Sequence, residues 1–209
     1  CKRFLFLSSL AAREGSLSHY GNSKKQAEDV LRAVPNFYWD ALRPPAVYGP
    51  EDRQFLTLIK MIKAGRVYLP AGHEARASLL YVDDLVAAIK AWVDMNTSSQ
   101  KIYEIDDGKA NGYLWQEVVD YVACALAVHP KVMMLPKFAV RALSYVSLCS
   151  GVVTRKTPLL PPEKMRQICH PDWVVREADF NKAFHWQPNT QASDGFLQTV
   201  EWYQQQKML

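Results

Sequence analysis

The sequence predicts an α/β chain built on a doubly wound parallel sheet, and three observations carry that prediction. Phe4-Leu5-Phe6-Leu7 and the run from Phe37 to Leu42 are short and apolar, as strands buried on both faces of a parallel sheet are. Between them, from about Ser18 to Val34, small and apolar residues fall on one side and Lys, Glu and Arg on the other, which reads as a crossover helix. Strand, helix and strand in that order are what a parallel crossover needs.

The first strand, Arg3 to Leu7, is apolar enough for the middle of a sheet, so its neighbours are expected from residues outside this chain. Ser8 to Ser18 reads as a polar loop, and Pro35-Asn36 stops the helix. After the second strand comes a stiff loop, Arg43-Pro-Pro-Ala-Val-Tyr-Gly-Pro50. A helix is expected from about Arg53 to Ala64, an extended piece at Val67 to Leu69, and a turn at Pro70-Ala-Gly72. Ala77 to Tyr81 reads as one short strand feeding a helix from Asp83 to Met95, whose free amides Asp83 or Asp84 would cap. Ile102 to Ile105 is a strand, Asp106-Asp-Gly108 a turn, and Leu114 to Ala127 a helix. From His129 to Pro171 frequent prolines predict short helical pieces. Val175 to Phe184 is expected to be helical, Trp186-Gln-Pro188 breaks it, and Ala192 to Gln206 closes the chain.

With 209 residues and 49% hydrophobic content, the chain can bury a substantial core with a smaller lobe beside it. Its net charge of +4 is spread along the sequence, and no basic run is interleaved with aromatics, so a nucleic-acid partner is not expected. The cysteines, Cys1, Cys124, Cys149 and Cys169, lack metal-ligand spacing and read as reduced, mostly buried thiols of a cytoplasmic protein. His73, His129, His170 and His185 have no partner at ligand spacing, so no metal is expected. Met133 to Val153 is the most apolar region. Lys137 and Arg141 interrupt it, and it reads as an amphipathic helix at a substrate or partner surface rather than a span, with membrane contact not expected. Trp115, Trp173, Trp186 and Trp202 occur singly and read as packing residues.

The sharpest chemical signal is Tyr20-Gly-Asn-Ser-Lys24. Four residues apart on a helix, the phenol and the amine share one face. A phenol ordinarily titrates at about pH 10, and a cation held beside it favours the phenolate, which makes it a usable acid or base. Ser9, at the C-terminal end of a parallel strand, lies where such sheets bind ligands and could hold a substrate oxygen beside the phenol. Ser8 reads as satisfying local backbone groups. His19 adjoins Tyr20 and is a further candidate for the pocket wall, although neighbouring residues on a helix point to different faces.

Set in order along the chain, FLFLSS (Phe4 to Ser9), YGNSKKQAE (Tyr20 to Glu28), LRPPAVYGPEDR (Leu42 to Arg53), LLYVDDLVAAI (Leu79 to Ile89) and FHWQPNTQASDGFLQTVEWY (Phe184 to Tyr203) resemble the extended short-chain dehydrogenases/reductases, also called the NAD-dependent epimerase/dehydratase family. The resemblance implies a Rossmann-like fold lacking its N-terminal segment, with a small C-terminal substrate lobe. Residues 1–48 and 77–128 would be dinucleotide-binding; 49–76 and 129–209 would supply most of the lobe, the closing helix 192–206 packing back. It implies that Ser9, Tyr20 and Lys24 are catalytic and that NAD or NADP is the cofactor. Tyr20 and Lys24 would also touch that cofactor, together with Leu7, Ser8, Pro44, Pro45, Ala46 and Val47, while Arg53 would face the ligand. A homodimer through the Tyr20 helix is a further implication.

Three departures shape the functional expectation. No G-x-G-x-x-G turn occurs within the 209 residues, although the family carries one upstream of its active-site serine, so the chain by itself is expected to bind a dinucleotide poorly. Ala77 stands where nucleotide-sugar epimerases place an arginine, with Arg76 one position away and hence on the other face of a strand, and Ala46 stands where they often have Asn. Leu10-Ala11 follows Ser9 in place of the dehydratases' Asp-Glu pair, and with Ala12 suits a less polar substrate. The expected activity is therefore interconversion of a secondary alcohol and a ketone by hydride transfer. A sugar epimerase is the first rival and a non-catalytic dinucleotide- or protein-binding relative the second.

Overall fold

The computed structural model describes residues 3–69, 75–136, 139, 162–177 and 179–209. The turn expected at Pro70-Ala-Gly72, most of Met133 to Val153, and Cys1, His73 and Cys149 lie outside them.

Strands β1 (Phe4–Leu7), β2 (Trp39–Arg43) and β7 (Ile102–Glu104) form a parallel sheet in the order β1-β2-β7, with Leu7 opposite Leu42 and Arg43 opposite Glu104. Helix α1 (His19–Ala33) makes the crossover from β1 to β2, as the alternation of apolar runs predicts. β2 is buried along Trp39 to Leu42, whereas Phe4 and Leu7 of β1 are 39% and 42% exposed. Among the described residues β1 pairs only with β2, and its uncovered Phe4 and Leu7 are what a strand whose expected neighbours lie outside this chain presents.

β3 (Ala46–Tyr48) lies inside what reads as a stiff loop after Arg43 and pairs in parallel with β6 (Leu79–Tyr81), because the backbone resumes extended pairing directly after Pro45. Arg76 to Tyr81 is two strands rather than one. Short β5 (Arg76–Ala77) pairs with β8 (Tyr113–Leu114) and β10 (Asp172–Trp173), and Ser78 breaks the run before β6. β4 (Arg66–Leu69) pairs in parallel with β9 (Lys131–Met134), so the stretch from His129 to Pro171 opens with a strand, whose side chains alternate exposed and half-buried, although Pro162–Ile168 further on is helical as expected.

Helices α2 (Arg53–Lys63), α3 (Val82–Asp94), α4 (Trp115–Leu126), α5 (Pro162–Ile168), α6 (Asp179–Phe184) and α7 (Ala192–Gln205) complete the described elements. The main core joins α2, α4 and α7 to β3, β4 and β6 through Tyr48, Ile59, Val67, Leu79, Val119 and Phe196. Gly195 lets α7 reach it: a Cβ there would stand 2.3 Å from the Tyr48 hydroxyl. A second cluster gathers Leu42, Leu80, Trp92, Tyr103, Phe180 and Trp186.

Several local expectations change because distant groups intervene. Asp84 does not cap α3. Its buried carboxylate accepts from the amides of Asn189 and Thr190 at 3.0 Å each, which ties the loop before α7 to α3. The helix expected from Val175 begins only at Asp179, since the amides of Val174 and Val175 are taken by Asp172 Oδ1 and Ser78 Oγ. Cys124 is exposed and Cys169 half-buried, so neither is a core thiol. Trp186 is buried, but Trp173 lies on a strand with its indole N–H donated to Gln167 O at 2.7 Å. Among the described residues no helix is long and apolar enough to cross a membrane.

Candidate active site

The site is built where β1, β2 and β7 end, the end at which parallel sheets bind ligands. Beyond Leu7 the chain turns through Ser8 and Ser9 into a 3₁₀ segment, Leu10–Leu17, where a polar loop is expected from sequence. The Ser8 amide donates to Leu42 O at 2.8 Å and the Leu10 amide to Pro44 O at 2.9 Å, so the turn is fastened to the end of β2 and to the first proline of the following loop. Ser9 Oγ accepts from the Ala11 amide at 3.2 Å and caps the segment.

α1 opens one turn later, with Ser18 Oγ accepting from the Gly21 amide at 3.0 Å. The residue after Tyr20 has to be small: a Cβ on Gly21 would lie 2.6 Å from the Ala11 carbonyl oxygen. Glycine therefore lets the first turn of α1 close onto the segment that follows Ser9. Tyr20 is 51% exposed beside it. Lys24 reaches back to the strand end, donating from Nζ to Leu7 O at 2.9 Å, and lies 5.8 Å from the Tyr20 ring centroid and 5.1 Å from that of Phe6. Phenol, ammonium and strand end are thus brought together, and the ammonium keeps further N–H groups for a ligand.

Pro44 is buried, and Pro45, Ala46 and Val47 are half-buried where β3 starts. Arg53 is exposed in the first turn of α2, which Asp52 Oδ1 caps by accepting from the Gln54 amide at 2.8 Å. His19 turns outward: its Nε2 lies 3.0 Å from Glu163 Oε1, and its side chain is 90% exposed. Ala77 is buried against β8, and Arg76 donates to Asn111 O at 3.3 Å. Leu10, Ala11 and Ala12 are buried as well, so they stiffen the segment after Ser9 and offer little surface to a substrate.

Behind the turn runs a chain of charged side chains that sequence reasoning missed. Ser8, read as serving local backbone, donates its hydroxyl to Glu28 Oε1 at 2.6 Å. Glu28, fully buried on α1, also accepts from Arg43 Nε at 2.8 Å and from Arg43 Nη2 at 2.6 Å. Arg43 Nη1 lies 3.6 Å from Glu104 Oε1 on the neighbouring strand, and Glu104 Oε2 lies 3.6 Å from Arg13 Nη1. Arg13 in turn donates to the carbonyls of Val174 and Asp172 at 2.8 and 2.9 Å. Burial pulls the Arg43 pKa down, but its bonds and proximity to Glu28, with Glu104 adding to them, hold it above the ordinary arginine value. The signal was present: Tyr20, Lys24 and Glu28 repeat at intervals of four and so line one face of α1.

An open depression of about 590 Å³ lined by Arg3, Phe37, Tyr38 and Thr97 lies at the opposite, N-terminal end of these strands, away from Ser9 and Tyr20. Among the described residues no group of His, Cys, Asp and Glu converges as a metal site would.

Comparison with known proteins adds three findings. A family model described as the 3-beta hydroxysteroid dehydrogenase/isomerase family matches residues 10–126. The ceramide reductase of Caulobacter vibrioides (strain NA1000 / CB15N) is 30% identical over 202 residues, 96% of this chain, and the chain spans 62% of that protein's length. Among solved structures, an epimerase of Methanothermobacter thermautotrophicus superposes with a TM-score of 0.72 at 11% identity, covering 99% of this chain and 60% of its own. The UDP-glucose 4-epimerase of Thermotoga maritima, solved with UDP-glucose, gives 0.68 at 16% identity, covering 99% and 64%. These likenesses place the fold among Rossmann-like α/β proteins.

Proposed function

Since the chain belongs to the 3-beta hydroxysteroid dehydrogenase/isomerase family, we propose that it is the catalytic part of an NAD- or NADP-dependent reductase that interconverts a ketone and a secondary alcohol on a lipid. The observation that carries this reading is the position of Lys24, bonded to the end of β1 at Leu7 and standing beside the Tyr20 ring. The lipid substrate rests on the ceramide reductase of Caulobacter vibrioides, similar over nearly the whole of this chain. The epimerases share the fold at identities too low to carry a reaction, and Ala46 and Ala77 speak against a nucleotide sugar.

The residues present fit a nicotinamide cofactor. Pro44, Pro45 and Val47 wall the strand ends, and the Lys24 ammonium, fixed by one bond, has N–H groups free for ribose hydroxyls. When bound, the cofactor supplies or takes up the hydride. In the reducing direction Tyr20 donates its phenolic proton to the substrate oxygen as charge develops there. Ser9 Oγ gives that oxygen a second hydrogen bond, and Lys24 favours the phenolate that Tyr20 leaves behind. Residues 49–76 and 129–209 would form most of the lobe that holds the lipid. Pairing of two copies through α1 belongs to the same reading, supported by Val30, 63% exposed on that helix.

The test is reduced-nicotinamide absorbance with NADH or NADPH and a long-chain keto-lipid, with product identified by mass, on the natural protein containing this chain. Consumption of reduced cofactor matched by alcohol formation and abolished by Tyr20→Phe is the expected result. Inversion of a sugar without net cofactor consumption, or activity intact in Tyr20→Phe, would overturn the reading.

A further inference from the structure

Two stretches of the sequence contain no carboxylate. Arg53, Lys60, Lys63 and Arg66 lie between Asp52 and Glu74, and Lys131, Lys137, Arg141, Arg155 and Lys156 lie between Asp120 and Glu163. These nine cations exceed the net charge of +4 for the whole chain, so the rest of it is net acidic. Separated in sequence, the two stretches meet in the fold through the parallel pairing of β4 with β9.

The register of that pair sorts its side chains. Arg66 stands opposite Lys131 and Tyr68 opposite Met133, so all four share one face. All four are exposed, Tyr68 and Met133 at 41% each, while Val67 and Leu69 point the other way and are buried. Lys60 and Lys63 are exposed in the last turn of α2, immediately before β4. Among the described residues, Lys60, Lys63, Arg66 and Lys131 make no ion pair. Like charges directly opposite one another across two strands are unfavourable, and an exposed Tyr–Met pair gains little from burial. Among the described residues no carboxylate pairs with these cations to offset this arrangement.

We propose that the outer face of β4 and β9 docks the protein onto an anionic lipid bilayer. Arg66 and Lys131, with Lys60 and Lys63 beside them, meet the headgroup phosphates, and Tyr68 and Met133 enter the interfacial layer, where an aromatic ring with a polar tip is well placed. A polyanion such as a nucleic acid would match the charge, but Tyr68 supplies one ring where a stacking groove needs several in line. The charge and register arguments hold whatever reaction the active site performs.

The experiment is cosedimentation of the full chain with vesicles of phosphatidylcholine alone and of phosphatidylcholine mixed with phosphatidylglycerol, repeated at rising salt. Binding to the mixed vesicles and not the neutral ones, weakened by salt, is expected. Replacing Arg66 and Lys131 together by Glu is expected to weaken it at least about 30-fold, taking the usual contribution of a basic residue near an anionic surface for each. Tyr68→Ser with Met133→Ser is expected to lower affinity while leaving the salt dependence in place, and guards against misfolding of the charge variant; circular dichroism checks both. Absence of binding to either vesicle, equal binding to both, or undiminished binding of the Glu variant overturns the proposal. Binding of a single-stranded oligonucleotide without vesicle binding overturns it in favour of a nucleic-acid face.

Discussion

Replacing Arg43 by Met tests the charged chain behind the Ser8-Ser9 turn. Glu28 is fully buried, and Arg43 is its only cation among the ion pairs of the described residues. Arg43→Met removes both guanidinium hydrogen bonds and strands a carboxylate that keeps only the Ser8 hydroxyl. Breaking a buried pair in this way costs about 3–5 kcal/mol. For a chain of this size each kcal/mol moves Tm by about 2–4 °C, so a fall of roughly 6–20 °C is expected. Glu28→Gln should cost less, about 1.5–3 kcal/mol, because Arg43 keeps Glu104 at 3.6 Å and is 14% exposed. The assay is thermal unfolding of the two single variants and the double variant, closed as a thermodynamic cycle. A coupling energy near zero, or a greater loss from Glu28→Gln than from Arg43→Met, would refute the reasoning.

Further outcomes are expected. Lys24→Met should cut turnover with the keto-lipid by at least about 100-fold, the low end of what a positioned acid–base group contributes; thermal unfolding would show Tm changed by only a few degrees, because Lys24 is bonded at the surface to Leu7 O. Gly195→Ala should destabilise by about 1–3 kcal/mol, read by urea unfolding, because the added methyl meets the Tyr48 hydroxyl. Glu117 is held below the ordinary glutamate value because it accepts from the Leu114 amide, with Lys109 assisting. Its contribution is therefore present above the unfolded-state value and lost as pH falls through the lower folded-state value. The Tm difference between the parent and Glu117→Gln should accordingly be largest near neutral pH and shrink towards zero as the medium is acidified below the ordinary glutamate value.

Local chemistry was legible at the centre of the candidate site. Spacing alone put Tyr20 and Lys24 on one helix face, and the apolar runs at Phe4 and Phe37 set β1 and β2 in parallel around that helix. Where the sequence reading failed, a residue's role was decided by a partner far along the chain. Asp84 has the position and chemistry of a helix cap, yet the amides of Asn189 and Thr190 claim it. Ser8 looks like a turn residue until Glu28 arrives from α1, and Leu10, Ala11 and Ala12 look like pocket lining until α1 closes over them. The same limit hid β9: its four residues show weak alternation, and only pairing with β4 gives that alternation an inside and an outside.

By itself, then, the sequence determined the strand–helix–strand unit and the shared face of Tyr20 and Lys24, because hydrophobic period and helix pitch are set within a few neighbouring residues, while the family rested on the resemblance of five ordered motifs along the chain. Only the tertiary structure decided the Glu28–Arg43–Glu104–Arg13 chain and the meeting of two basic stretches at β4 and β9. Charge pairing and burial depend on which distant groups come within a few ångströms, and that distance is fixed by how the chain closes on itself.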